Sequence, residues 1–420
     1  MNSRTILPLF LVLLPLFGCA TVNQRHYEDP LYNMQVLAKN ADDRERLTEI
    51  TPGELANQTP GQRPPADSDE AGLWMAMDKA EKEVQTAGNR VDDAKLTAYL
   101  HGIACRISPE YCNDLRIYVQ RVPYFNAAMA PNGVLIIWSG LLVRATNEAQ
   151  VAGVIGHEIA HYLRRHSLQR MRDTIAAANT MIFVQLATAA AGVGIAGDLA
   201  TLAAIGTLQA YSRDQEREAD GYGLALMARA GYDPQDAASL WQGIIREMAA
   251  SDDKKFSTLL FDGHPPETER LAALDGLANR IKARGGDFDR GAARYRGQLA
   301  PWRFGFLQDE LLQRDFARAE VLLSQLIADD FAVGELRYFQ GEMYRLRGQT
   351  GDTERALAAF EHAAAARDGC PPETFRALGL LYRKQGEMAK ARTALEKYLT
   401  QKPEAMDREM IRHMVEKEMP

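Results

Sequence analysis

His157-Glu158-Ile159-Ala160-His161 is the stretch on which the reading of this 420-residue chain turns. On an α-helix, positions four apart advance about 400°, so the two imidazoles project from one face. That spacing suits two ligands of a single tetrahedral zinc. Glu158 stands about 100° round from His157, where its carboxylate can reach a water on the metal. The alternative is a solvated helix face with an incidental His pair. Val151, Val154, Ile155, Ile159 and Leu163 argue against it. They make the helix largely buried, and unpaired His and Glu are costly in such a place.

A catalytic zinc needs a third protein ligand and an open position. The run Tyr211-Ser212-Arg213-Asp214-Gln215-Glu216-Arg217-Glu218-Ala219-Asp220 supplies candidates. Glu216 and Asp220 are four apart and share a helix face, whereas Glu218 lies about 200° from Glu216 and points away. Glu216 as the ligand, with Asp220 as the acceptor that orients a zinc-bound His, is geometrically consistent. Taken alone, the run also reads as a charge-rich exposed helix. Arg213 and Tyr211 are weaker candidates for transition-state stabilisation, and Arg213 is equally a partner for Asp220. His166, five beyond His161 on an unbroken helix, cannot join the same zinc and reads as structural or exposed.

Around this centre the composition is ordinary: 46% hydrophobic, 25% charged, net charge −7. A basic surplus is missing, so no nucleic-acid partner is expected. The length suggests two or three domains. At the start, Arg4 precedes an apolar run from Ile6 to Phe17, too short to cross a bilayer, that ends in Leu16-Phe17-Gly18-Cys19-Ala20. It resembles a bacterial lipoprotein signal. That implies lipidation of Cys19 and, with Ala20 following, the outer membrane on its periplasmic side. An ordinary signal peptide is the alternative. In an oxidising compartment Cys105 and Cys112 read as a local disulfide, with two free thiols as the other possibility, and Cys370 is left over in a loop.

Prolines 52, 60, 64 and 65 mark residues 51–70 as a linker or loosely wrapped strap. Residues 115–122 and 133–138 read as strands, the second more buried. A long helix is expected from Asn147 to Arg172, with Thr146 as N-cap. Residues 175–210 carry one charge, Asp198. The 175–197 stretch is long enough to span a bilayer; a helical hairpin beside the active site is preferred. Further on, Gly341-x-x-Tyr344-x-x-x-Gly348 returns as Gly379-x-x-Tyr382-x-x-x-Gly386, and Ala319, Ala356 and Ala391 recur at a similar period. Small residues at helix crossings with that period are the tetratricopeptide signature, against an unrelated helical bundle.

The zinc helix, the later Glu-x-x-x-Asp and the segments Asn126-Ala127, Pro131-Asn132-Gly133 and Ser139-Gly140-Leu141-Leu142 together resemble the HtpX-like zinc metallopeptidases. The resemblance covers about residues 71–280. Gln150 departs from it, standing where these proteins often carry Glu, and is expected to weaken the cap of the zinc helix. The resemblance implies one Zn2+ per chain, held by His157, His161 and Glu216, with Glu158 as general base and Asp220 in support. It implies that the strand near Gly133 offers its edge to an extended substrate. In the repeat-bearing subgroup a His-Pro recurs where this chain has His264-Pro265. His264 is therefore a candidate for the metal's open position, as a latching fourth ligand, or for the oxyanion; a capped loop His is the other reading.

The expected fold is an α+β zincin-like metalloprotease domain, mostly helical with a small sheet, followed by an all-α tetratricopeptide-like repeat domain. The expected divisions are 1–18 signal, 19–70 lipid-anchored linker, 71–280 protease and 281–420 repeats. The subgroup implies a periplasmic endopeptidase acting on misfolded or stalled outer-membrane proteins, tethered to the membrane through Cys19, its repeats docking on the barrel assembly machinery. The alternative function is a non-proteolytic chaperone or scaffold acting through the repeats.

Overall fold

Ser68 opens the first long helix by accepting a hydrogen bond from the Ala71 amide, and α1 runs Asp69–Thr86. The structure is a computed structural model that describes residues 56–57, 59–176, 211–251 and 268–418. Cys19, the 1–18 signal, His264 and all but the first two residues of the 175–197 stretch lie outside the described residues. Among the described residues no helix is long and apolar enough to cross a membrane.

Helix α2, Ala94–Ile107, is capped by Asp93. At its end Cys105 is disulfide-bonded to Cys112 across a short 3-10 turn opened by Pro109. Three strands follow: β1 Arg116–Gln120, β2 Ala127–Met129 and β3 Val134–Trp138. The sheet order is β1-β3-β2, with β1 parallel to β3 and β2 antiparallel to it. Ile117 stands opposite Leu135, and Ala128 opposite Ile136. Three residues are too few to show an alternating pattern, so β2 is not legible in the sequence. Its presence corrects the expectation that the strand near Gly133 offers a free edge. Val134-Leu135-Ile136-Ile137-Trp138 is almost continuously apolar because it is the central strand, paired on both sides. The edge that faces the zinc helix belongs to β2.

Helix α3, Ser139–Arg144, leads into α4, Glu148–Leu163, which carries the His-Glu-x-x-His motif. The N-cap is Asn147 rather than Thr146: its side chain accepts from the Gln150 amide at 2.9 Å. Gln150 turns back to accept from the Thr146 amide at 2.7 Å, so a neutral amide at this position leaves the cap whole. Every residue of α4 except Gly153 is buried, which excludes the solvated-helix alternative. The helix does not continue to Arg172. Arg165 takes a positive φ of 56°, breaking it, and helix resumes at 166. Asn57, from the segment read as a strap, donates its amide to the Leu163 carbonyl at 2.9 Å and so closes the end of α4.

Helices α5 (Arg213–Arg229) and α6 (Gln235–Ala250) pack against α4, and α7 (Thr268–Lys282) packs against α5 and α6. A long helix α8, Ala292–Leu312, then introduces α9 Phe316–Ala328, α10 Val333–Arg347, α11 Asp352–Ala365, α12 Glu373–Lys384, α13 Met388–Gln401 and α14 Arg408–Glu418. The first glycine of each repeat, Gly341 and Gly379, sits where paired helices cross, whereas Gly348 and Gly386 stand in open space at positive φ. A Cβ on Gly341 would stand 2.5 Å from the Phe360 ring, and one on Gly379 2.5 Å from Leu395. The repeated alanines 319, 356 and 391 are buried. The repeated tyrosines each donate to a glutamate, Tyr344 to Glu320 and Tyr382 to Glu361.

Two buried charge clusters join the front of the chain to these helices. Arg144 on α3 meets Glu247 on α6 at 2.8 Å and Glu310 on α8 at 3.1 Å, and Arg318 on α9 meets Glu310 at 2.5 Å. Glu148, the first residue of α4, accepts from Tyr99 at 2.8 Å, Tyr232 at 2.9 Å and Arg294 of α8 at 3.0 Å. Burial alone would raise the Glu148 pKa, but these hydrogen bonds, led by Arg294, outweigh it and hold the group below its ordinary value. A depressed carboxyl contributes stability above its unfolded pKa and loses it as pH falls through the folded one. Glu148→Gln is therefore expected to lower stability by about 2 kcal/mol at pH 7, with the deficit narrowing below the ordinary value of 4.5. Urea unfolding at pH 7 and in acid checks this; a deficit equal at both would contradict it.

Candidate metal centre

The centre is made by two helices that touch backbone to backbone. A Cβ on Gly156 of α4 would stand 2.8 Å from the Gly223 carbonyl oxygen, and one on Gly223 of α5 2.6 Å from the His157 amide nitrogen. Glycine at both positions removes the side chains that keep helices 8–10 Å apart. The approach brings Glu216 and Asp220, two turns and one turn before Gly223, against the two histidines.

His157 Nε2 and His161 Nε2 lie 3.1 Å apart, and the Glu216 carboxylate lies 3.6 Å from the first and 3.5 Å from the second. Three ligands bound to zinc at about 2.0–2.1 Å with tetrahedral angles stand about 3.3–3.4 Å from one another. The donor atoms thus already hold the separations a zinc ion requires. All three residues are buried. Both imidazoles present Nε2 to the shared point and have a polar partner behind Nδ1, as a ligating histidine commonly does. His157 Nδ1 lies 3.0 Å from Asp220 Oδ1, and His161 Nδ1 lies 2.8 Å from His166 Nδ1. Burial holds the His161 pKa well below its ordinary value and lowers that of His166. Neutral imidazole is the form that binds a metal.

The negative groups are organised by one arginine. Arg270 of α7 meets Glu216 at 2.7 Å and Asp220 at 2.7 Å. Burial alone would raise the Asp220 pKa, yet the Arg270 guanidinium and the His157 contact outweigh it and hold the carboxyl below its usual value. The sequence reading offered Arg213 as the Asp220 partner. Arg213 instead stands exposed at the start of α5, and the partner comes from a helix fifty residues later. Glu218 points away from the metal point as expected. It is engaged all the same, 3.2 Å from His166 Nε2 and 2.6 Å from Arg164 Nε. Tyr211 stacks on His161 with ring centroids 3.9 Å apart and has its hydroxyl on Ser167.

Glu158 is buried, and its carboxylate accepts the Met129 backbone N–H at 3.0 Å. Asn126 and Ala130 bond to β3, so by the alternation of an antiparallel pair Ala127 and Met129 turn their backbone groups to the other edge. That edge is the one Glu158 holds. Among the described residues one other group of three donors converges, His101 with Cys105 and Cys112. Its sulfurs are tied in the disulfide, which leaves no thiolate to bind.

Residues 92–278 match the family described as Peptidase family M48. That match spans the two helices that bring His157, His161 and Glu216 together, so this part of the chain is similar to a metallopeptidase domain of that family. Among curated relatives, it is 31% identical over 208 residues to mitochondrial metalloendopeptidase OMA1 of Schizosaccharomyces pombe, covering 48% of this chain and 59% of that protein. It is 26% identical over 213 residues to the beta-barrel assembly-enhancing protease of Escherichia coli strain K12, covering 48% of this chain and 42% of that protein. It is 31% identical over 145 residues to metalloprotease YcaL of the same strain, covering 34% and 55%. The chain thus spans about half the length of these relatives.

If the glycine contact sets the M48 site, a single methyl should spoil it. Gly223→Ala is expected to lower zinc affinity at least about tenfold and folding stability by about 1–3 kcal/mol. Chelator competition and thermal melting read both. Zinc binding and melting equal to those of the unaltered chain would contradict the assignment.

Proposed function

We propose that this chain is a zinc endopeptidase that cleaves unfolded polypeptide. The observation that carries the reading is Glu158. A structural zinc has no use for a carboxylate beside its ligands, whereas a hydrolytic one needs a base there. Zinc held by His157, His161 and Glu216 supplies the Lewis acid that polarises a peptide carbonyl and acidifies a water. Glu158 takes the proton from the attacking water and hands it to the departing amine nitrogen. Asp220 keeps the His157 ring in its ligating orientation. The outward backbone groups of Ala127 support pairing of an extended substrate with β2 beside the Met129 N–H that Glu158 takes, a mode that recognises main chain and asks little of sequence.

The setting is proposed on the remaining residues. Lipid on Cys19 tethers the chain to the periplasmic side of the outer membrane, and residues 19–70 serve as the linker between that anchor and the protease domain. The helices from α8 onward act as a tetratricopeptide-like array, supported by the glycine crossings at 341 and 379. The relative from Escherichia coli named for beta-barrel assembly supports outer-membrane proteins as the clients, with the array docking on a client or on the assembly machinery. His264 is retained as a candidate latch over the open metal position.

The test compares chain beginning at residue 20 with its Glu158→Gln variant, both zinc-loaded, on an unfolded protein such as casein. Cleavage by the first, and at least about a thousandfold less by the second with zinc content equal, is the expected result. Equal cleavage would refute Glu158 as the base. Cleavage by neither, even with His264→Ala added, would favour the scaffold reading.

A further inference from the structure

His161 and His157 are supported in different ways, and the difference gives His166 a role. This step rests on the reading above that His157, His161 and Glu216 hold zinc. His161 turns Nε2 to the metal point, 3.1 Å from His157 Nε2 and 3.5 Å from Glu216. A neutral imidazole that ligates through Nε2 carries its proton on Nδ1. The atom facing that Nδ1 at 2.8 Å is another imidazole nitrogen, His166 Nδ1. Two ring nitrogens at that distance need one donor and one acceptor. With His161 donating, His166 Nδ1 accepts, and its own proton sits on Nε2. That atom lies 3.2 Å from the Glu218 carboxylate, which can only accept. Arg164 Nε, 2.6 Å from the other Glu218 oxygen, holds the end of the row.

We infer that His166 is a positioning residue for the metal site, passing the orienting effect of Glu218 to His161 and fixing that ligand's tautomer and ring direction. The fold goes out of its way to make the contact. On a continuous helix position 166 would lie about 140° round from position 161. The left-handed Arg165, at φ 56°, turns the chain so that His166 comes back under His161 with no exposed surface. A non-glycine residue in that region is strained and persists where the surroundings hold it. The two supports then arise from one helix. On α5, Glu216 faces the metal, Asp220 backs His157 directly, and Glu218, between them in sequence, backs His161 through His166.

The test uses the full chain with zinc as the probe. His166→Phe keeps a ring but removes the acceptor. His166→Asn places an amide oxygen near the position of Nδ1. Competition with a chromogenic chelator is expected to show about 10–100-fold weaker zinc binding for the Phe variant and recovery of most of the loss by Asn. Imidazole nitrogen–proton correlation on the zinc-loaded unaltered chain is expected to place the His161 proton on Nδ1 and the His166 proton on Nε2. This spectrum serves even if a variant fails to fold. Zinc binding by the Phe variant within about threefold of the unaltered chain, equal losses in Phe and Asn, or the His166 proton on Nδ1 would each overturn the inference. An unaltered chain that takes up no zinc would instead sink the metal reading, and this inference with it.

Discussion

The backbone contact between Gly156 and Gly223 is the constraint on which the rest of the centre depends. His157 follows Gly156 directly, and Glu216 lies two turns before Gly223, so the distance between the two glycines sets the distance between the ligands. Side chains at the crossing would move α5 outward by more than the zinc site tolerates. Everything else refines a geometry already set there. Asp220 and His166 stand behind the two histidines, Arg270 gathers the two α5 carboxylates, and the Met129 amide of β2 holds the Glu158 carboxylate.

The part of this that is local in sequence was legible. An i, i+4 pair on an apolar helix and a second i, i+4 pair of acids mark the four residues that the structure brings together. The seven-residue cysteine spacing announced the disulfide, and Gly341 and Gly379 of the repeated motif announced the helix crossings. What was not legible depends on chain reversals or on long separations. The break at Arg165 has no glycine or proline to mark it, so an ideal helix leaves His166 open between a structural and an exposed residue and does not show its contact with His161. Arg270 lies fifty residues from Asp220, and no periodicity connects them. Strand β2 is three residues long and takes its identity from its partner β3 rather than from any pattern of its own.

The helices beyond α8 are fastened to the peptidase body by charge rather than by apolar contact alone. Arg144, Glu247, Glu310 and Arg318 are almost wholly out of solvent, each side chain no more than 2% exposed. Such a cluster adds little net stability, because desolvation offsets most of the attraction, but it is costly to satisfy in any other arrangement. It therefore specifies one orientation of the repeat-like helices on the body. Arg144 also ends the short helix that follows β3, and Glu148 begins the zinc helix while holding Arg294 of α8. The elements that carry the site and those proposed to receive partners are thus tied at the same points.

The central claim is that one zinc sits between α4 and α5, and zinc-edge anomalous diffraction from crystals of the zinc-loaded chain tests it most directly. The account predicts one strong peak per chain, about 2.0–2.2 Å from Nε2 of His157, Nε2 of His161 and a Glu216 carboxylate oxygen. A peak elsewhere, beside His101 for instance, or no peak at this position, would contradict it.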